Sequence, residues 1–257
     1  MSHSVLIERD GPVTIVTINR PHARNAVDRA TAGELYDAFL AFDADDSQSV
    51  AVLTGAEGTF CAGADLKAVA QGAAGGRPRK DDEGPMGPTR LLLSKPTIAA
   101  VEGFAVAGGI ELAVWCDLRV AAESATFGVY CRRWGVPLID GGTIRLPRLI
   151  GQSHALDMIL TGRGVGAEEA LRIGLANRVV PDGEALSAAV ALAKELAELP
   201  PNCLRADRRS VFEQWTLDLD DAIEREYAGG IEVIRSGETQ AGAQRFASGA
   251  GRHGGKA

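Results

Sequence analysis

Thr97-Ile98-Ala99-Ala100-Val101-Glu102-Gly103-Phe104-Ala105-Val106-Ala107-Gly108-Gly109-Ile110-Glu111-Leu112-Ala113-Val114-Trp115 is the stretch on which the reading of this chain turns. Residues 97–101 form a short apolar strand, and a helix-like run begins at Ile110, with Gly108 and Gly109 between them. A glycine pair at that junction lets the backbone turn sharply and lets a ligand come close. The first N–H groups of a helix lack intrahelical acceptors and carry the positive end of its dipole, so the junction suits negative charge. Glu111 follows one turn inside, on the same apolar segment. A carboxylate in apolar surroundings beside an anion site is a candidate general base with a raised pKa. Taken alone, the stretch also fits a plainer account: the glycines permit close helix packing, and Glu111 is a solvated first-turn acid.

A second stretch, Thr59-Phe60-Cys61-Ala62-Gly63-Ala64-Asp65-Leu66, repeats the order of strand end, small residues and helix start. The strand before it is Val50-Ala51-Val52-Leu53-Thr54. The backbone N–H groups of Ala64 and Gly108 can then converge on one oxygen. Such a pair is an oxyanion hole, which acts where negative charge develops in the transition state.

Phe60–Leu66 followed by Lys95–Ala113 resembles the crotonase (enoyl-CoA hydratase/isomerase) superfamily. Cys116-Asp117, Phe127-Gly128, Gly141-Gly142-Thr143 and Leu160-Thr161-Gly162 carry the resemblance along nearly the whole chain. It implies an α/β fold, a spiral of β-β-α units with a C-terminal helical region. It implies an acyl-CoA thioester substrate, an oxyanion hole at Ala64 and Gly108, and an acid/base group at Glu111. Substrate contacts are expected at His22, Ala23 and Arg24, at Ala62, Asp65 and Leu66, and at Cys131. Coenzyme A enters as part of the substrate, so no separate cofactor and no metal is expected. A homotrimer, or a hexamer built as a dimer of trimers, is also implied.

Composition narrows the partners. A chain of 257 residues can bury a large core and fits one large domain, or one with an appendage. Its 27 basic and 34 acidic side chains leave a net charge of −7, which disfavours nucleic-acid binding through bulk electrostatics. An RNA-binding relative is disfavoured on the same ground. Residues 1–10 lack the apolar core of a signal peptide, and no apolar run approaches membrane-spanning length. Cys61, Cys116, Cys131 and Cys203 show neither a C-x-x-C spacing nor a metal-ligand pattern, which suits reduced thiols in the cytoplasm.

Along the chain, Val5–Arg9 and Val13–Asn19 read as strands joined at Asp10-Gly11, with Pro12 suited to an edge. Asp28 is placed to cap a helix whose Leu35, Phe39 and Phe42 share a face. The loop before it, Asn19 to Val27, holds the His22–Arg24 candidates; without the resemblance these are ordinary solvated residues. Gln71 to Pro88 is rich in glycine, proline and charge and reads as a mobile, polar loop beside Ala64. His154–Leu160 and Ala167–Ile173 read as short helices, and Val179-Val180-Pro181 ends a short strand. A helix then runs to Leu199, where Pro200-Pro201 stops it. The expected division is therefore a core over 1–199 and a helical oligomerisation region over 200–257. In the latter, Leu217, Leu219, Ile223, Tyr227, Ile231 and Ile234 form an apolar stripe. Gly249-x-Gly251-x-x-Gly254 matches a dinucleotide fingerprint only in its letters, with no strand before it and no helix after it.

One departure from the family pattern bears on the reaction. Hydratases of the family hold a water between two glutamates. The first matches Glu111, but an ungapped alignment from Phe127-Gly128 to Gly141-Gly142-Thr143 puts Cys131 at the second. A thiol with a reference pKa of about 8.5 cannot replace a carboxylate of about 4.3 near neutrality. Asp140 is the alternative. It either supplies the second acid/base group or is a structural ion partner of Arg132, Arg133 or Arg145. Hydration needs that second group, whereas moving a double bond from C3 to C2 can run with one carboxylate. The expectation is an enoyl-CoA hydratase, with enoyl-CoA isomerase, another crotonase-type reaction or a non-catalytic acyl-CoA binding protein as alternatives.

Overall fold

In the computed structural model, which describes residues 3–73 and 82–250, the Asp10-Gly11 turn closes an antiparallel hairpin of β1 (Val5–Asp10) and β2 (Val13–Ile18). The chain then bridges at Val27 to Ala64 and enters α1 (Arg29–Ala44). Asp28 caps that helix, its carboxylate accepting the Thr31 N–H at 2.9 Å. β3 (Val50–Gly55) follows, then a bridge from Cys61 to Ala105, then the single turn α2 (Leu66–Ala68). Residues 97–115 resolve into β4 (Thr97–Val101), β5 (Phe104–Val106) and α3 (Gly108–Trp115). β6 (Leu118–Ala122), β7 (Thr126–Gly128), a 3-10 turn over Tyr130–Trp134 and α4 (Gly142–Thr161) repeat the order. β8 (Gly164–Gly166), α5 (Ala167–Arg172), β9 (Arg178–Val180) and α6 (Ala185–Ala197) complete it.

From β4 onward each turn of the chain thus sends one strand to a six-stranded sheet, ordered β1-β2-β3-β4-β6-β9, and one to a smaller layer, ordered β5-β7-β8. Every pair of the large sheet after the first hairpin is parallel. Helices cover such strands on both faces, so β4 is buried at every residue and reads as continuous apolar sequence rather than alternation. This is the α/β spiral that the resemblance implies. Phe39 of α1 meets Trp115 of α3 edge to face at 4.8 Å, and the Trp115 indole N–H donates to the Leu91 carbonyl at 3.0 Å. α3 is therefore held at its C-terminal end, which matters because it carries Glu111.

Two local expectations change. α4 begins at Gly142, with a break at Gly151 (φ 78°, ψ 155°), so the expected His154–Leu160 helix is only its second arm. Of the segment expected to be a mobile, polar loop, residues 74–81 lie outside the described residues, but 83–88 are packed, as is Thr89 after them. Glu83, Met86 and Thr89 are 3%, 2% and 1% exposed, and Gly84 and Gly87 exchange N–H···O bonds of 2.7 and 2.8 Å. The partners that order this stretch come from about fifty residues away in the chain, so local composition gives no sign of them. Gly251 and Gly254 of the dinucleotide-like tail also lie outside the described residues.

The chain divides into two units, Met1–Lys194 and Glu195–Ala257. The second contains α7 (Pro201–Glu213), α8 (Leu219–Arg235) and α9 (Glu238–Ala247). Pro201 opens α7 at a position where its missing N–H costs nothing, and the Glu238 carboxylate accepts the Asn202 and Cys203 N–H groups. Arg225 of α8 donates to both oxygens of Glu213 of α7. The apolar stripe of α8 stands in solvent, with Leu219 74% and Tyr227 66% exposed. Among the described residues, no helix is long and apolar enough to cross a membrane.

Candidate active site

Parallel pairing brings the two glycine-bearing loops together. The Cys61 N–H donates to the Phe104 carbonyl and the Val106 N–H to the Cys61 carbonyl, at 2.9 and 3.0 Å. Gly63 then takes φ +93°, and a Cβ there would lie 2.8 Å from the Gly108 nitrogen. Ala107, just before α3, sits at φ 55° and ψ −123°, a region L-residues rarely enter. This local strain sets the direction of the Gly108 N–H. The N–H groups of Ala64 and Gly108 have no acceptor among the described residues. Next to Ala64, the Asp65 carboxylate caps α2 and pairs with Arg20 at 3.0 Å, and Arg20 also pairs with Asp28 at 3.0 Å. That network ties the loop to the end of β2.

Glu111 is 2% exposed, which removes the reading of it as a solvated acid. Its Oε1 accepts the N–H groups of Asp140 and Gly142, at 2.8 and 2.9 Å. Burial pushes its pKa up to about 7 against the pull of the Gly142 N–H; the neighbouring Asp140 charge raises it further and Arg145 lowers it. No sealed side-chain oxygen lacks a partner among the described residues. Glu111 lines a cavity of about 630 Å³, and its unbonded Oε2 is the oxygen open to it.

Asp140 lines the same cavity and is held from every side but one. Its N–H goes to Glu111, its carbonyl accepts Arg145 Nη1 at 2.9 Å, and its Oδ1 accepts the Met86 N–H at 2.9 Å and the Thr89 hydroxyl. By the same reasoning Oδ2 is the oxygen left open. Burial is the main force raising its pKa. The expected ion pair with Arg132, Arg133 or Arg145 does not form. Arg132 and Arg133 turn instead to the carbonyls of Ile159 and Gly162 at the end of α4, where intrahelical donors run out. Arg145 meets Asp140 through its main-chain carbonyl.

Cys131 is 6% exposed and lines the cavity from the 3-10 turn. Burial, with the Glu111 charge, pushes its thiol pKa up, so it stays protonated near neutrality. Replacement by Ala is expected to leave kcat nearly unchanged in a steady-state assay, because the thiol fills space without carrying a proton; a large loss would give it a role in the reaction. Ala62, Ala64, Asp65, Leu66, Gly108 and Arg24 also line the cavity, whereas His22 and Ala23 do not. Sequence reasoning missed Met86, which covers Gly108, and Thr89, and named Arg145 only as a possible ion partner of Asp140. One signal was available: Met86 is the only large apolar side chain between Gln71 and Arg90.

Two unpartnered N–H groups beside two carboxylates, each with one oxygen pinned and one open, can stabilise a charge on oxygen while moving protons at neighbouring carbons. The Enoyl-CoA hydratase/isomerase family matches residues 8–250. The chain is 40% identical over 251 residues to the enoyl-CoA hydratase EchA19 of Mycobacterium tuberculosis, covering 94% of this chain and 92% of that one. It is 42% identical over 211 residues to a carnitinyl-CoA dehydratase of Salmonella arizonae, covering 80% and 79% of the two. The crystal structure of enoyl-CoA hydratase EchA1 from Mycobacterium marinum superposes with a TM-score of 0.90 at 39% identity, over 95% of this chain and 96% of that one.

Proposed function

The chain belongs to the enoyl-CoA hydratase/isomerase family, and from that premise we propose that it adds water across the C2=C3 bond of 2-enoyl-CoA thioesters, and removes it in reverse. The thioester oxygen accepts the Ala64 and Gly108 N–H groups, which take up the negative charge of the enolate. The water lies between Glu111 Oε2 and Asp140 Oδ2. The Asp140 charge raises the pKa of Glu111, and in this reading the pair shares one proton. The ionised member takes a proton from the water as its oxygen bonds to C3, and the protonated member delivers one to C2. Arg24 at the cavity mouth meets the coenzyme A phosphates, and no cofactor is needed beyond the coenzyme A of the substrate.

The observation that carries the reading is the open Oδ2 of Asp140 in the cavity that Glu111 lines. It answers the loss of the second family glutamate at Cys131. Asp140→Asn tests it cleanly, because an amide oxygen can keep the Met86 and Thr89 bonds while the proton capacity is lost. Hydration of crotonyl-CoA is expected to fall on the order of a hundredfold with thioester affinity unchanged. A parental hydration rate in that variant would remove Asp140 from the reaction, whereas a parent that shifts 3-enoyl-CoA to 2-enoyl-CoA but barely hydrates crotonyl-CoA would favour the one-carboxylate isomerisation that Cys131 makes the second reading.

The exposed stripe of Leu219, Ile223, Tyr227 and Ile234 supports a homotrimer or a hexamer of two trimers, in which further copies of the chain cover it. Light scattering at micromolar concentration is expected to return three or six chain masses; a monomer would remove this reading. The cytoplasm is its proposed location, where thiols such as Cys61, Cys116, Cys131 and Cys203 stay reduced.

A further inference from the structure

We propose that Arg145 is a positioning residue for this chemistry: its guanidinium holds the turn whose N–H groups grip Glu111, and so decides which Glu111 oxygen meets the substrate. The inference rests on the reading of Glu111 as an acid/base group.

Glu111 is oriented by its Oε1 bonds to the N–H groups of Asp140 and Gly142. Those two residues flank Gly141, at φ +90°, a left-handed conformation that suits glycine. Arg145, in the first turn of α4, folds back onto it. Nη1 donates to the Asp140 carbonyl at 2.9 Å and Nη2 to the Thr89 carbonyl at 2.7 Å. The contact is direct, since a Cβ on Gly141 would run into Nη1. The first arm fixes the 140–141 peptide between the two gripping N–H groups. The second arm reaches the segment that pins Asp140 Oδ1 through Met86 and Thr89. The planar fork presents its donors from two separate nitrogens in a fixed geometry, which a lysine ammonium, a compact point charge on a flexible stem, does not reproduce.

The guanidinium also bears on the proton. Asp140, Cys131 and Arg145 face Glu111; Arg90 and Arg145 face Asp140; Glu111, Asp140, Cys116 and Arg148 face Arg145. Arg145 is the cation that favours ionised Glu111, so its removal raises the pKa of Glu111 further.

The test compares Arg145→Met and Arg145→Lys with the parent on crotonyl-CoA, across pH, with active sites counted by acyl-CoA binding. Both variants are expected to lose kcat per binding site on the order of tenfold to a hundredfold, with KM changed far less. The titration belonging to Glu111, at about 7 in the parent, moves to higher pH in Arg145→Met and stays near its place in Arg145→Lys, which keeps the charge. Parental kcat per site in either variant overturns the inference, as does an unmoved pH profile in a folded Arg145→Met. Where Arg145→Met fails to fold, Arg145→Lys decides by its kcat at unchanged acyl-CoA affinity. Glu111→Gln run alongside separates the two ideas. An active Glu111→Gln removes the underlying reading and the inference with it, whereas an inactive one beside parental Arg145 variants overturns the inference alone.

Discussion

Glu111→Gln is expected to lose at least about a hundredfold in turnover of 2-enoyl-CoA, the usual size of general acid–base catalysis, while binding acyl-CoA as the parent does. The amide is nearly the same shape, and its oxygen can keep both bonds that hold Oε1, from Asp140 and Gly142. What it loses is the proton. A second consequence separates this variant from a merely damaged protein. Burial raises the pKa of Glu111 to about 7, above the ordinary glutamate value of about 4.3. A group raised on folding holds its full share of stability below the unfolded value, loses it as pH climbs towards the folded value, and has none above it. Glutamine never ionises. Glu111→Gln should therefore gain Tm relative to the parent as pH rises from 5 to 8. A variant that is inactive and shows no such gain would mean that the carboxylate is not buried as described. Undiminished turnover would make another group the proton carrier of this cavity, whereas a parent that binds acyl-CoA without turning it over would be a non-catalytic acyl-CoA binding protein.

Gly63→Ala should be nearly as damaging through a different route. At φ +93° a Cβ costs about 1–2 kcal/mol in backbone strain alone. Its nearest neighbours would be the Ala107 Cβ at 2.7 Å and the Gly108 nitrogen at 2.8 Å, both on or beside the backbone and unable to swing away. The two loops must part, and the Ala64 and Gly108 N–H groups could then no longer converge on one oxygen as the proposed mechanism requires. Losing one such donor costs on the order of a hundredfold to a thousandfold in kcat. Thermal unfolding should show a moderate drop in Tm, and the activity loss should persist at temperatures where the variant is fully folded. Full activity in the folded variant would mean that these N–H groups do not bind the reacting oxygen. Gly108→Ala is the useful comparison, because a Cβ there meets only the flexible end of Met86.

What the sequence by itself determined is local or periodic. The Asp10-Gly11 hairpin, the Asp28 cap, the buried strand 97–101 and the glycine turn before Glu111 are each written in residues close together in the chain. Their physical causes, turn conformation, orphan N–H groups and apolar periodicity, act over a few residues. The resemblance of the two loop motifs extended this to the spiral. The tertiary structure alone decided the state of Asp140. Its partners Met86 and Thr89 lie 54 and 51 residues away and Glu111 lies 29 away, so no local pattern distinguishes an ion pair from a pinned carboxylate with one open oxygen. The same separation hid the packing of residues 83–89, which read as solvent-exposed until a distant carboxylate and a guanidinium supply the hydrogen bonds of Met86 and Thr89. Arg145 looked like one arginine among several near Asp140. Only the fold shows that its two arms end on the carbonyls of residues 89 and 140, because hydrogen-bond geometry depends on where the segments meet in space.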